Sequence, residues 1–120
     1  MIEVKAFIRS HKVDEVIQAL ENQGVTDLTV LDVMGIGEDM VARDHAKYSV
    51  ALVQKYSKIA KLEIVCEDED SEPIISTIRK TAYTGRSGDG MIYTAEVRSV
   101  YKIRSRSHEN REGNHNVSEK

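Results

Sequence analysis

With a single cysteine in 120 residues, the chain cannot close an intramolecular disulfide. Cys66 ends the apolar run Leu62-Glu63-Ile64-Val65-Cys66, a setting for a buried, inert thiol rather than a reactive one. Long apolar runs are also missing: no stretch approaches the roughly 18 residues a membrane span needs. The start, Met1-Ile2-Glu3-Val4-Lys5, lacks the charged-then-apolar order of a signal peptide, so a cytoplasmic location is expected. There is no excess of positive charge either. A formal net charge of −3 argues against a general nucleic-acid or anionic-membrane binder, and any anion site must therefore be local. One proline, with 40% hydrophobic and 31% charged residues, fits a compact soluble chain better than a disordered one. The length suits one domain that buries a core without staples.

Within that frame the apolar residues are ordered. Ile2, Val4, Ala6 and Ile8 alternate with Glu3 and Lys5 as on a strand, with Phe7 interrupting the polar face. Ser10 is placed to cap a helix whose Val13, Val16, Ile17 and Leu20 follow helical spacing and which Gly24 ends. Leu28 to Val33 reads as a second strand leading into Gly35-Ile36-Gly37. The plan then repeats. Lys61 to Glu67 reads as a strand, and Asp70, Ser71 and Pro73 open a helix with Ile74, Ile75, Ile78 and Ala82 on its core face. Met91 to Val97 forms the last strand. The carboxylates at 67–70 and 72 are better explained by a helix N-terminus, which favours negative charge, than by a metal cluster.

Two βαβ halves in so short a chain predict an α+β, ferredoxin-like βαββαβ domain. Its four-stranded antiparallel sheet carries both helices on one face. The other face is then bare, and the second strand is apolar on both sides, so self-association is expected to cover it. The domain is expected over residues 1–106. Residues 38–60 interrupt the two halves as an unusually long connection, of the kind that is generally functional; within it, Tyr48 to Val53 reads as a short strand or helical turn. Residues 107–120 are polar without an apolar face, and disorder is expected there.

Two segments suggest anion chemistry. Thr84-Gly85-Arg86-Ser87-Gly88-Asp89-Gly90 places three glycines between a helix and a strand, where successive backbone N–H groups can form a nest for phosphate. The same glycines also suit a helix cap and an ordinary turn. Downstream, Lys102, Arg104 and Arg106 alternate with Ile103 and Ser105. If extended, they share a face at spacings of about 6.5–7 Å and can span neighbouring phosphates; a solvated basic edge is the other reading.

These motifs resemble, in order and spacing, the PII signal-transduction family over about residues 1–106. Ser10 to Val16 resembles its first βα unit, Gly24 to Val30 the entry to its second strand, and Gly35-Ile36-Gly37 the base of its T-loop. Thr84 to Tyr93 resembles its B-loop, and Lys102-Ile103-Arg104 its basic C-terminal strand. The resemblance implies a homotrimer that binds ADP, ATP or AMP in clefts between subunits and controls a transporter or metabolic enzyme through the T-loop. It implies that Thr29, Gly35 and Gly37 border the nucleotide and that Gly85, Arg86, Gly88, Asp89 and Gly90 cradle phosphates. Lys102 and Arg104 would reach in from the neighbouring subunit. No catalytic residue, prosthetic group, nucleic acid or direct membrane insertion is implied.

The departures are specific. Met91 stands where the family commonly has a basic residue, and Glu38-Asp39 replaces an Arg-Gln pair whose glutamine helps hold magnesium and 2-oxoglutarate. Asp39 remains a possible magnesium ligand. The family's uridylylated tyrosine has no counterpart in context, although Tyr48 falls nearby. A small-phosphate hydrolase on this fold would need an activating group beside the glycine loop. The four histidines, His11, His45, His108 and His115, supply none. A CutA-like metal-tolerance trimer using His45, Cys66 or the acidic run lacks compact ligand spacing. An RNA-recognition domain would need stacking aromatics that Lys61 to Val65 do not have.

The Glu38-Asp39 carboxylates would stand within about 4–6 Å of a dianionic co-ligand, and like charges oppose binding at that range. ATP titrated with magnesium should therefore gain less than about tenfold in affinity from millimolar 2-oxoglutarate. A gain of tenfold or more, worth about 1.4 kcal/mol of coupling, would show that the co-ligand site is intact.

Overall fold

In the computed structural model, which describes residues 1–35 and 58–104, the strands are β1 (Ile2–Arg9), β2 (Thr29–Met34), β3 (Lys58–Cys66) and β4 (Met91–Glu96). The helices are α1 (Val13–Asn22) and α2 (Asp68–Ala82), and the order is βαββαβ. All pairings are antiparallel, in a sheet of order β2-β3-β1-β4. This is the expected ferredoxin-like α+β architecture.

The registers sort the strand residues into two faces. Val4 pairs with Ile64, Ala6 with Leu62 and Ile8 with Ala60, and Ala6 also pairs with Ile92 across β4. These residues form the helix-covered face. Val4, Ala6, Ile8, Leu62 and Ile64 meet Val16 and Leu20 of α1 and Ile74, Ile78 and Ala82 of α2 in one buried cluster, with Ile92 packed against it. The core is made almost entirely of aliphatic side chains, because the alternation in β1 and β3 and the helical spacing in α1 and α2 point the same residues inward.

On the other face lie Glu3, Lys5, Phe7 and Arg9 of β1, paired with Val65, Glu63, Lys61 and Ile59. Phe7 and Tyr93 stack tilted with ring centroids 5.9 Å apart. Lys5 Nζ stands 5.8 Å from the Tyr93 ring centre and Lys61 Nζ 5.8 Å from that of Phe7. Ion pairs Lys5–Glu3 and Lys61–Glu63 complete the surface. The Phe7 that interrupts the alternation thus has a role, as the apolar seat for a lysine. Among the described residues no further strand extends the sheet beyond β2 or β4, and Val30, Leu31, Met34, Met91 and Tyr93 are each more than two-fifths exposed.

Several boundaries differ from those the sequence predicts. Ser10 does not cap α1. Ser10–Lys12 form a 3-10 turn, and Val13 N–H donates to the Ser10 carbonyl, so the tight turn satisfies by backbone what a hydroxyl cap would have satisfied. Gly24 does end the helix, in the left-handed conformation at φ 104°. Helix α2 starts at Asp68, two residues before Asp70, because Asp68, Glu69 and Asp70 all fit a first turn. Pro73 lies inside it, past the first turn, so it withholds a helical N–H that would otherwise donate to the Glu69 carbonyl. β3 starts at Lys58, so residues 58–60 belong to the strand and not to the long connection. β4 stops at Glu96, although Val97 N–H still donates to the Met1 carbonyl at 3.0 Å. The remaining expectations for residues 38–57 and for the tail, Arg106, His45, His108 and His115 included, lie outside the described residues.

Leu62 is fully buried where β3 meets both helices. Leu62→Ala should lower stability by about 2–5 kcal/mol, whereas Lys80→Ala, on the exposed side of α2, should stay within about 0.5 kcal/mol. Urea unfolding of the two variants checks this.

Candidate functional site

The sheet gathers its chemistry at one end. Antiparallel pairing puts the end of β1, the start of β3, the end of β2 and the start of β4 together. Gly35, buried just after β2, and the loop from Thr84 to Gly90 therefore occupy the same end, three strand spacings or roughly 14 Å apart. Thr29 starts β2 at the opposite end. The chain also leaves β4 at that opposite end, since Ile2 pairs with Glu96.

The glycine loop is organised from within. Asp89 turns its carboxylate back into the loop, where it accepts from the Thr84 N–H at 2.8 Å, the Gly85 N–H at 3.0 Å and the Thr84 hydroxyl. Arg86 N–H donates to Thr84 Oγ1 at 3.1 Å. The nest of amides predicted from the glycines exists, but in its first half it closes around the protein's own carboxylate. Arg9 completes it. Its Nε donates to Asp89 Oδ1 at 2.9 Å and its Nη2 to the Ser87 carbonyl at 2.7 Å. Partial burial pushes the Asp89 carboxyl up, but hydrogen bonds from Thr84, Arg9 and Gly85 outweigh that and hold it at about 2.

Gly90 is where the loop joins the sheet. Its φ is 108°, and a Cβ there would come 1.8 Å from the Phe7 carbonyl oxygen. Only glycine lets the backbone approach β1 this closely. Gly85 and Gly88 share the left-handed region; Gly85 and Arg86 are exposed, and Gly88 is buried.

Beside the loop opens a cavity of about 500 Å³ whose walls include Phe7, Ile8, Ile78, Ala82, Gly90 and Met91. Arg9 and the wall residues Phe7, Ile8, Ile78 and Ala82 are the ones that motif reading passed over as site residues. Arg9 was legible only through the strand register: continuing β1–β4 pairing beyond Phe7↔Met91 sets Arg9 opposite Asp89.

Lys102 and Arg104 are exposed, no strand covers them, and the chain bends at Ile103 and Arg104. Within the described residues the sheet places β4 beside β1. Gly37 and Asp39 lie outside the described residues.

For the rival chemistries, no group of three or more His, Cys, Asp or Glu among the described residues could hold a metal ion. Cys66 is half-buried, and burial pushes its thiol up, helped by the Asp70 and Glu67 carboxylates. No helix among the described residues is long and apolar enough to cross a membrane.

Comparison with known proteins bears on the whole domain. Residues 1–107 match the family described as Nitrogen regulatory protein P-II. A nitrogen regulatory protein P-II from Rhizobium meliloti is 35% identical over 105 residues, covering 88% of this chain and 93% of the relative. Nitrogen regulatory protein P-II 1 of Methanothermobacter thermautotrophicus is 38% identical over 111 residues, 90% of this chain and 93% of the relative. A nitrogen fixation nifHD region glnB-like protein 1 from Methanococcus maripaludis is 37% identical over 106 residues, 87% of this chain and 94% of the relative.

The Asp89 carboxyl titrates lower in the folded chain than the usual value of about 3.9. Its stabilising contribution is therefore complete above about pH 4 and lost as pH falls towards 2. Acid unfolding monitored between pH 5 and pH 2, as rough limits, should show this component in the native chain and lack it in Asp89→Asn.

Proposed function

This chain belongs to the nitrogen regulatory protein P-II family, whose members are signal-transduction regulators, and from that premise we propose a non-enzymatic, nucleotide-responsive regulator. An adenine nucleotide, ADP, ATP or AMP, is its effector. The long connection, residues 38–57, carries the signal to a membrane transporter or metabolic enzyme.

The observation that supports this reading best is the glycine loop standing beside an apolar cavity of about 500 Å³. That volume lies within the range of small-molecule sites, and the pairing of apolar walls with a loop rich in backbone donors suits a flat base carrying phosphates. In this proposal the segment Gly88-Asp89-Gly90 and the exposed side chain of Arg86 meet the phosphates. Gly85 and Asp89 brace the loop from inside. Gly35 and Gly37 border the nucleotide at the root of the long connection, so a ligand that favours one arrangement of that connection shifts its population. Asp39 is the candidate magnesium ligand for bound ATP.

The assembly we propose is a homotrimer. Thr29 and the glycine loop lie at opposite ends of one sheet, and Lys102 and Arg104 leave from the end away from the loop. A second copy is what brings these residues to the same nucleotide. It also covers the open face and offers the segment around Lys102 a neighbour to pair with.

Arg104→Ala should weaken ADP binding by about 1.5–3 kcal/mol, the scale of a charge-assisted hydrogen bond, with Lys102→Ala acting in the same direction. Calorimetry reads the affinity, and light scattering should give a trimer mass at micromolar concentration. Unchanged affinity in the double variant would reduce the basic segment to a solvated edge. A monomeric mass would remove the shared site.

A further inference from the structure

We propose that Arg9 is a positioning residue for the glycine loop, fixing Ser87 and Asp89 and cancelling the negative charge that Asp89 would otherwise present to an anionic ligand. The inference rests on the nucleotide reading above and adds to it a residue outside the loop.

The geometry is that of a two-point clamp. Arg9 lies at the end of β1, and its guanidinium reaches Asp89 Oδ1 at 2.9 Å with one nitrogen and the Ser87 carbonyl at 2.7 Å with another. Both side chains are largely covered, at 20% and 24% exposure for Arg9 and Asp89, so solvent screens the pair only in part. Asp89 in turn gathers the Thr84 and Gly85 amides. Arg9 is thereby connected, through one carboxylate, to both ends of the loop.

The charge argument is separate from the geometric one. A loop proposed to receive phosphates carries a carboxylate in its middle, and like charges this close oppose binding. Arg9 supplies the compensating cation from the sheet, leaving the Arg86 side chain exposed to solvent. The planar fork matters too, because it satisfies a carboxylate and a carbonyl simultaneously. Lysine would bring the charge without the second fixed contact.

The test uses the full chain as wild type, Arg9→Ala, Arg9→Lys and Arg9→Ala/Asp89→Asn. Amide hydrogen exchange is read at Thr84 and Gly85, with Val4 and Leu62 as references for global opening. Arg9→Ala should speed exchange in the loop by about tenfold or more while the references hold, and Arg9→Lys should fall between. Binding of ATP, ADP and AMP is then compared. Arg9→Ala should lose at least about threefold more affinity for ATP than for AMP, and adding Asp89→Asn should recover part of that difference. Unchanged loop exchange overturns the positioning role, and equal losses for ATP and AMP overturn the charge role. If the wild type binds none of the three nucleotides, the functional reading falls and the exchange comparison alone decides whether Arg9 positions the loop.

Discussion

Strand β1 is hydrogen-bonded on both edges, to β3 on one side and to β4 on the other, and these two registers decide where nearly everything else lies. A shift of one residue would turn every side chain to the other face, exchanging Val4, Ala6 and Ile8 for Glu3, Lys5 and Phe7 against the helices. The aliphatic core prevents it. The register in turn sets Arg9 opposite Asp89 and presses Gly90 against the Phe7 carbonyl, so the candidate site inherits its geometry from the packing of the core.

The same strand explains the character of the open face. Its side chains are neither a plain solvated surface nor a plain apolar one, because Lys5 and Lys61 lie near the rings of Tyr93 and Phe7 while pairing with Glu3 and Glu63. Such a face tolerates water and also tolerates burial, since each cation has both an anion and an aromatic surface within reach.

At the loop, the internal carboxylate changes how a glycine-rich motif should be read. Glycines make amides available, but availability is contested by any nearby acceptor. Here Asp89 takes the Thr84 and Gly85 amides for itself, and the loop is held in shape by its own anion. A rigid loop of this kind loses less freedom when a ligand arrives than a slack one would.

Alternation in β1 and β3, helical spacing in both helices and the glycine that ends α1 were legible in the sequence by itself, because each rests on local periodicity or on one residue's backbone freedom. Those signals fixed the element order and the fold, and the ordered motifs identified the family. Ser10, the start of β3 and the end of β4 differ because strand pairing and backbone turns, not side-chain propensity, set those limits, and the start of α2 differs because three consecutive carboxylates all fit its first turn. The Lys102-Ile103-Arg104 segment bends in the single chain, because alternation of side chains does not by itself supply the hydrogen-bonded neighbour a strand needs. Only the tertiary structure decided that Arg9 clamps the loop, that Asp89 faces inward and that an apolar cavity stands beside it. The Arg9 clamp depends on a contact between residues some eighty positions apart, and no local pattern carries a register between strands.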